Sequence, residues 1–197
     1  MLKVGITGGI GSGKSVVCQV SKTLGIPVFS ADDAAQYVMT HDAVLVQSIK
    51  QLLGEESYKD GKPHRPHIAT LVFKQPELLQ QLNRLVHPAT IAYGKQWMEA
   101  QTTPYAIKEA AIFFESGSYK DMDVMVGVYA PKEVRLQRAM LRDGATEEKI
   151  LQRMANQMDE EEKMRRCDYI ITNDGNTAVL PQVLSLHKIL LEKARQH

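Results

Sequence analysis

Apolar residues fall into two kinds of pattern that alternate along the chain. Short apolar runs occur at residues 2–7, 28–29, 104–109, 124–129 and 168–172. Gly8, Ser30, Ala130-Pro131 and Asn173 end four of them, while Lys108 interrupts the run at 104–109 and apolar residues continue from Ala110 to Phe114. Such runs predict strands, and Val124-Met125-Val126-Gly127-Val128-Tyr129 is the clearest, β-branched and unbroken as in a strand covered on both faces. Between the runs, apolar positions recur at helical spacing. Helices are predicted over 14–24, 34–39, 44–53 (Val44, Leu45, Ile49, Leu52, Leu53) and from about 77 to 97 behind Pro76. Further helices follow Pro131 and Thr146, and the last carries Val179, Leu180, Val183, Leu184, Leu190 and Leu191. Strands alternating with helices predict an α/β fold around a parallel sheet. Residues 42–101 show no strand pattern and form a helical insertion. The dense charge of residues 159–166 predicts a solvent-exposed run.

The first strand leads into Gly8-Gly9-Ile10-Gly11-Ser12-Gly13-Lys14-Ser15, which fits the phosphate-binding pattern G-x-x-x-x-G-K-[ST] between a strand and a helix. Glycines let backbone N–H groups approach phosphate oxygens, and the start of the next helix adds unpaired N–H groups and a favourable dipole. Lys14 brings a point charge to the β- and γ-phosphates, and Ser15 offers a hydroxyl to Mg²⁺. The same loop binding nothing is the bland alternative.

Other candidates stand at strand ends, where open α/β sheets bind ligands. Asp32, in Ser30-Ala31-Asp32-Asp33, either does chemistry as a base or outer Mg²⁺ ligand or N-caps the helix after it. Glu109 is a candidate acid near Mg²⁺. Glu115 follows Phe113-Phe114 at a turn, and Asn173 ends the last strand, suited either to adenine or to a turn. In the insertion, Arg65 lies in a polar turn from Asp60 to Pro66, and His87-Pro88 interrupts a helical pattern. Arg135, Arg138 and Arg142 share one helical face. They form either a solvated charged face or a mobile lid that stabilises charge on a transferring phosphoryl group.

Composition narrows the setting. The 197 residues suit one domain or a core with insertions, and a net charge of +1 leaves no broad basic footprint for nucleic acid. No apolar run approaches the ~20 residues that cross a bilayer. Two cysteines, Cys18 and Cys167, without a C-x-x-C pair suggest a reducing cytoplasm, and Met1-Leu2-Lys3 runs straight into the first strand with no targeting segment. No metal-ligand spacing appears among the histidines and cysteines, and no obligate protein partner is evident. A GTP-dependent switch is disfavoured, since no aspartate is followed three positions later by glycine and Thr172-Asn173-Asp174 lacks the lysine of N-K-x-D.

The long Ile6-to-Ser15 run, Ala31-Asp32, Arg65 ahead of Val72-Phe73, and His87-Pro88 together resemble the dephospho-coenzyme A kinase family of P-loop kinases. So do Ile112-Phe113-Phe114-Glu115, Gln137-Arg138 with Arg142-Asp143-Gly144, Arg153 with Gln157, and Asn173-Asp174-Gly175. The resemblance spans nearly the whole chain. It departs at Ser30, where the family usually has a first aspartate, at Val16 for threonine, and at Ala111 for proline. It implies a three-layer α/β P-loop NTPase fold with a five-stranded parallel sheet, a helical substrate-binding insertion and a helical lid. The nucleotide core would be 1–33, 102–131 and 167–197, the acceptor domain 34–101 and the lid 132–166. The implied reaction is transfer of the γ-phosphoryl of ATP to the ribose 3′-hydroxyl of dephospho-CoA with Mg²⁺; another small hydroxyl acceptor, such as a nucleoside or shikimate, is the alternative. By the same resemblance Gly11, Ser12, Gly13, Lys14, Ser15 and Val16 hold the phosphates, with Ser15 on Mg²⁺. Asp32 takes or orients the hydroxyl proton, Arg138 and Arg142 act from the lid, and Asn173 lies by adenine. Arg65, His87 and Glu115 belong to the acceptor site.

Overall fold

The computed structural model describes residues 1–197, the side chain of Lys74 excepted. In chain order the elements are β1 (Leu2–Thr7), α1 (Lys14–Thr23), β2 (Val28–Ser30), α2 (Ala31–His41), α3 (Ala43–Leu53), β3 (Tyr58–Lys59), β4 (Lys62–Pro63), α4 (Arg65–Lys74) and α5 (Pro76–Glu99). They continue with β5 (Tyr105–Glu109), α6 (Phe113–Ser116), β6 (Val124–Tyr129), α7 (Lys132–Asp143), α8 (Glu147–Ala155), α9 (Glu160–Arg165), β7 (Tyr169–Thr172) and α10 (Val179–Gln196). The five expected strands form one sheet of order β2-β5-β1-β6-β7, with β1 parallel to both β5 and β6, and β6 parallel to β7.

Packing divides the chain into two compact units, Met1–Phe29 with Ala100–His197, and Ser30–Glu99. In the first unit, side chains alternate across the sheet as a period of two requires. Leu2, Val4, Ile6, Tyr105, Ile107, Val124, Val126 and Val128 face one way, onto Val17 and Cys18 of α1 and Val183, Leu186 and Leu190 of α10. On the other face Gly5 and Gly127 leave room for methionine. A Cβ on Gly5 would stand 2.5 Å from the Met125 sulfur, and one on Gly127 would stand 2.5 Å from the Met164 sulfur. Residues 132–166, expected as a lid, pack as part of this unit.

The second unit is a helical cluster around Val38, Leu45, Ile49, Leu53, Ile68, Leu82 and Val86. It begins at Ser30, so Asp32 belongs to it, whereas the sequence boundary after residue 33 had placed Asp32 with the core. Three local expectations change. First, α2 starts at Ala31 rather than 34, because Ser30 caps it: the Ser30 hydroxyl accepts from the Asp33 N–H at 3.2 Å. Asp32 is therefore not the cap. Second, the stretch read as a polar turn contains a hairpin, β3 paired antiparallel with β4 around Asp60 (φ 52°) and Gly61 (φ 73°). Two positive φ values are what a two-residue Asp-Gly turn provides. Third, Pro88 lies inside α5, which continues through it to Glu99.

Candidate active site

The loop between β1 and α1 is held by side chains from far along the chain. The Gly9 N–H donates to Glu160 Oε1 at 3.1 Å, and the Ile10 N–H donates to Gln157 Oε1 at 3.0 Å. The Ser12 N–H returns to the Gly9 carbonyl at 3.1 Å. The N–H groups of Gly11, Gly13 and Ser15 have no protein acceptor among the described residues, and all three lie at or just before the start of α1. The Ser12 hydroxyl, in a residue with 0% exposure, is the one buried side-chain polar atom without a partner among the described residues. Unpaired donors around a helix N-terminus make an anion cradle.

The glycines of the loop serve packing as much as phosphate approach. Gly13 (φ 93°) has no room for a Cβ because the Asn173 amide nitrogen occupies that place, and at Gly11 (φ 81°) the place is filled by the backbone of Arg135. The Asn173 amide donates to the Ser12 carbonyl at 2.8 Å, and Arg138 donates to the Asn173 carbonyl at 2.8 Å. Asn173, expected beside adenine, has its side-chain amide engaged by the loop itself. Lys14 donates to the Gly8 carbonyl at 3.0 Å and lies 3.7 Å from Glu109, which brings that strand-end acid into the site.

The charged run expected to be exposed is instead partly interior: Glu160 is 7% exposed and Lys163 0%. Their partners explain this. Glu160 Oε2 lies 3.6 Å from Arg135, itself 8% exposed and tied through Nε to the Ala130 carbonyl at 3.0 Å. Lys163 donates to the Ala111 carbonyl at 2.8 Å and reaches Glu115 at 3.1 Å. Glu115 also accepts from the Met158 N–H at 2.8 Å, so this residue, assigned from resemblance to the acceptor side, is bonded here to the segment before α9. Removing one partner of a buried ion pair typically costs about 3–5 kcal/mol, which marks Arg135–Glu160 as structural support for the loop.

Arg142 forms two hydrogen bonds to Asp143, at 2.7 and 3.1 Å, and Arg153 of α8 bonds the same carboxylate at 2.6 Å. Together they hold Asp143 down to about 2, through the Arg142 and Arg153 hydrogen bonds in that order. Of the three arginines placed on one face of α7, Arg135 is thus interior, Arg138 bonds Asn173, and Arg142 is exposed and paired.

In the second unit, Asp32 is exposed in the first turn of α2, with no hydrogen bond or ion pair among the described residues. Asp33, Gln36, Tyr37, Lys62, Arg65 and Ile68 are among the residues lining a cavity of about 690 Å³, within the range of small-molecule sites. Its wall carries a ring stack, Tyr37 on His41 at 4.3 Å. His87 is half-buried on α5, and burial lowers its pKa, favouring neutral imidazole.

Comparison with known proteins settles which family of phosphate-loop proteins this is. A model of the dephospho-CoA kinase family matches residues 2–179. The chain belongs to the dephospho-CoA kinase family. It is 39% identical over 193 residues to dephospho-CoA kinase of Bacteroides fragilis, covering 98% of this chain and 94% of that one. A solved protein from Thermus thermophilus superposes with a TM-score of 0.82 at 32% identity, covering 98% of this chain and 97% of the other. Dephospho-CoA kinase from Campylobacter jejuni gives 0.71 at 26% identity, with 97% and 98% covered. The enzyme class expected from the sequence, a kinase acting on a hydroxyl group, and the expected P-loop fold both stand.

The sequence reading missed Gln157 as a loop ligand, along with Glu160 and Lys163. One signal was present: a charged stretch that also carries Met164 and leads into a strand has an interior side. Nothing in the spacing named the loop as its partner.

Proposed function

We propose that the protein transfers the γ-phosphoryl group of ATP to the ribose 3′-hydroxyl of dephospho-CoA, giving CoA and ADP. The observation that carries the donor half is the set of unaccepted N–H groups at Gly11, Gly13 and Ser15 beside the orphaned Ser12 hydroxyl. These suit the phosphates of ATP, with Lys14 adding charge. Mg²⁺ fits the same place. No cluster of three or more His, Cys, Asp or Glu side chains stands ready to hold a metal among the described residues, and Mg²⁺ asks for none, since it binds through few protein oxygens plus substrate phosphates. Ser15 would hold it, and when bound the ion offsets charge on the transferring group.

The acceptor half rests on Asp32 and the cavity of the second unit. Because Ser30 caps α2, the Asp32 carboxylate is released from capping and is available to accept the 3′-hydroxyl proton. A loose phosphoryl-transfer transition state asks mainly for positioning, so an ordinary carboxylate suffices. Lys62 and Arg65 outnumber Asp33 in the charge of a cavity whose wall also carries Tyr37, Met39, Ile68 and Val72, which suits an acceptor carrying both phosphates and an apolar arm. His87 and Glu115 are carried to the acceptor by the family resemblance. Arg138 and Arg142 stabilise charge on the phosphoryl group; Arg142 does so by exchanging Asp143 for phosphate. Asn173 holds the loop through the Ser12 carbonyl and lies by the adenine.

Among the described residues no helix is long and apolar enough to cross a membrane. Both cysteines are free thiols, which fits a reducing cytoplasm. The test is an ADP-release assay with ATP, Mg²⁺ and a panel of hydroxyl acceptors. Dephospho-CoA should give the highest kcat/KM; equal or better turnover of a nucleoside or shikimate overturns the acceptor assignment.

A further inference from the structure

The phosphate loop of this protein has two classes of amide. Those of Gly11, Gly13 and Ser15 have no acceptor among the described residues, while those of Gly9 and Ile10 are taken by Glu160 and Gln157. A glycine-rich loop has many accessible conformations, and only some turn the first class of amide toward a ligand. Fixing two neighbouring amides on side chains that come from outside the loop selects among them.

The choice of a carboxylate for this task poses an electrostatic problem. A buried negative charge beside a phosphate site repels the ligand unless it is balanced. Arg135 supplies the balance 3.6 Å away, and its guanidinium cannot drift because Nε is bound to the Ala130 carbonyl at the end of β6. The place a Cβ on Gly9 would take is occupied by the Arg135 guanidinium, with Glu160 Oε2 at 2.5 Å, so the pair is built against this residue and no larger one. The segment carrying Gln157 and Glu160 is itself anchored. Met158 donates to Glu115 at 2.8 Å, and Lys163 donates to the Ala111 carbonyl at 2.8 Å.

We infer that Gln157 and Glu160 are positioning residues for phosphoryl transfer: by accepting the Ile10 and Gly9 N–H groups they hold the loop in its phosphate-binding shape. Arg135 neutralises the carboxylate so that the phosphates are not repelled. Neither residue needs to touch the substrate.

The test measures ATP KM, kcat and the ADP-induced rise in melting temperature for the wild type, Gln157→Ala, Glu160→Ala and Glu160→Gln. Gln157→Ala, at a half-exposed position, should fold and raise ATP KM by about fivefold, the worth of one hydrogen bond, while shrinking the ADP-induced shift. Glu160→Ala should do more. Glu160→Gln keeps an acceptor for Gly9 and should recover most of the loss in ATP KM. A purely structural role would lower the melting temperature of the free protein and leave ATP KM and the ADP-induced shift within about twofold of wild type, and that result overturns the inference. So does a Glu160→Gln variant as impaired in ATP KM as Glu160→Ala. If Glu160→Ala does not fold, Gln157→Ala decides alone. The inference rests on the ATP reading above. A wild type with no ADP-induced shift sinks both, whereas a normal wild-type shift with unaffected variants sinks only this one.

Discussion

Gly13 combines a φ of 93° with an Asn173 amide nitrogen lying where its Cβ would be. A methyl group there must displace Asn173, and with it the bond to the Ser12 carbonyl. Gly13→Ala should therefore abolish nucleotide binding, seen as loss of the ADP-induced shift in melting temperature, while far-UV circular dichroism stays near wild type. Asp32 is the opposite case, exposed and with no part in capping once Ser30 takes the cap. Asp32→Asn should cut kcat by about two to three orders of magnitude, in the range that a positioned acid–base group contributes. Its melting temperature and nucleotide binding should be unchanged. Near-normal turnover of that variant would remove Asp32 from the mechanism. Neither contrast follows from residue type: both aspartate and serine cap helices well, and only the geometry shows which one does.

At the scale of elements, the helical pair α7 and α8 is joined on one carboxylate. Asp143, near the end of α7, takes hydrogen bonds from Arg142 and from Arg153 of α8, and these hold its pKa at about 2. The folded value lies below the ordinary carboxylate value of about 3.9, so the junction is present above that ordinary value and lost as pH falls through about 2. Because the groups are substantially solvated, the stability at stake is small. Carboxyl carbon chemical shifts of Asp143 should accordingly stay in the ionised range down to pH 3; titration near pH 4 would refute the pairing. The hairpin of β3 and β4 was equally open to reading from Asp60-Gly61, since that dipeptide supplies two positive φ values; its brevity hid it. The charged run at 159–166 was misread for a different reason. Charge density predicts exposure on average, but Lys163 is enclosed by the Ala111 carbonyl and Glu115, which lie dozens of positions away in sequence.

For the whole molecule, the division into two compact units separates the proposed donor and acceptor functions between different stretches of chain. Amide hydrogen exchange can read them apart. ADP should slow exchange around Gly11 to Ser15 and at Gly9 and Ile10, within the unit built on the sheet. Dephospho-CoA should slow exchange in Ala31–His41 and around Arg65, within the unit of residues Ser30–Glu99. Protection of the first set by dephospho-CoA alone would contradict this assignment of donor and acceptor.

What the sequence determined by itself was local or carried by contiguous pattern. The strands, the long helices and the phosphate loop were legible because hydrophobic period and the Gly8-to-Ser15 motif are written within a few turns of chain. The family was legible because its motifs recur in order over nearly the whole chain. What only the tertiary structure decided was partnership at long range. Ser30 rather than Asp32 caps α2 because the donor it meets is the Asp33 amide in that particular backbone geometry. Gln157 and Glu160 hold the amides of Ile10 and Gly9 because α9 packs on β6, which neither segment encodes alone. The loop's glycines were readable as a phosphate site, yet that Gly11 and Gly13 also make room for Arg135 and Asn173 is a property of the packed fold.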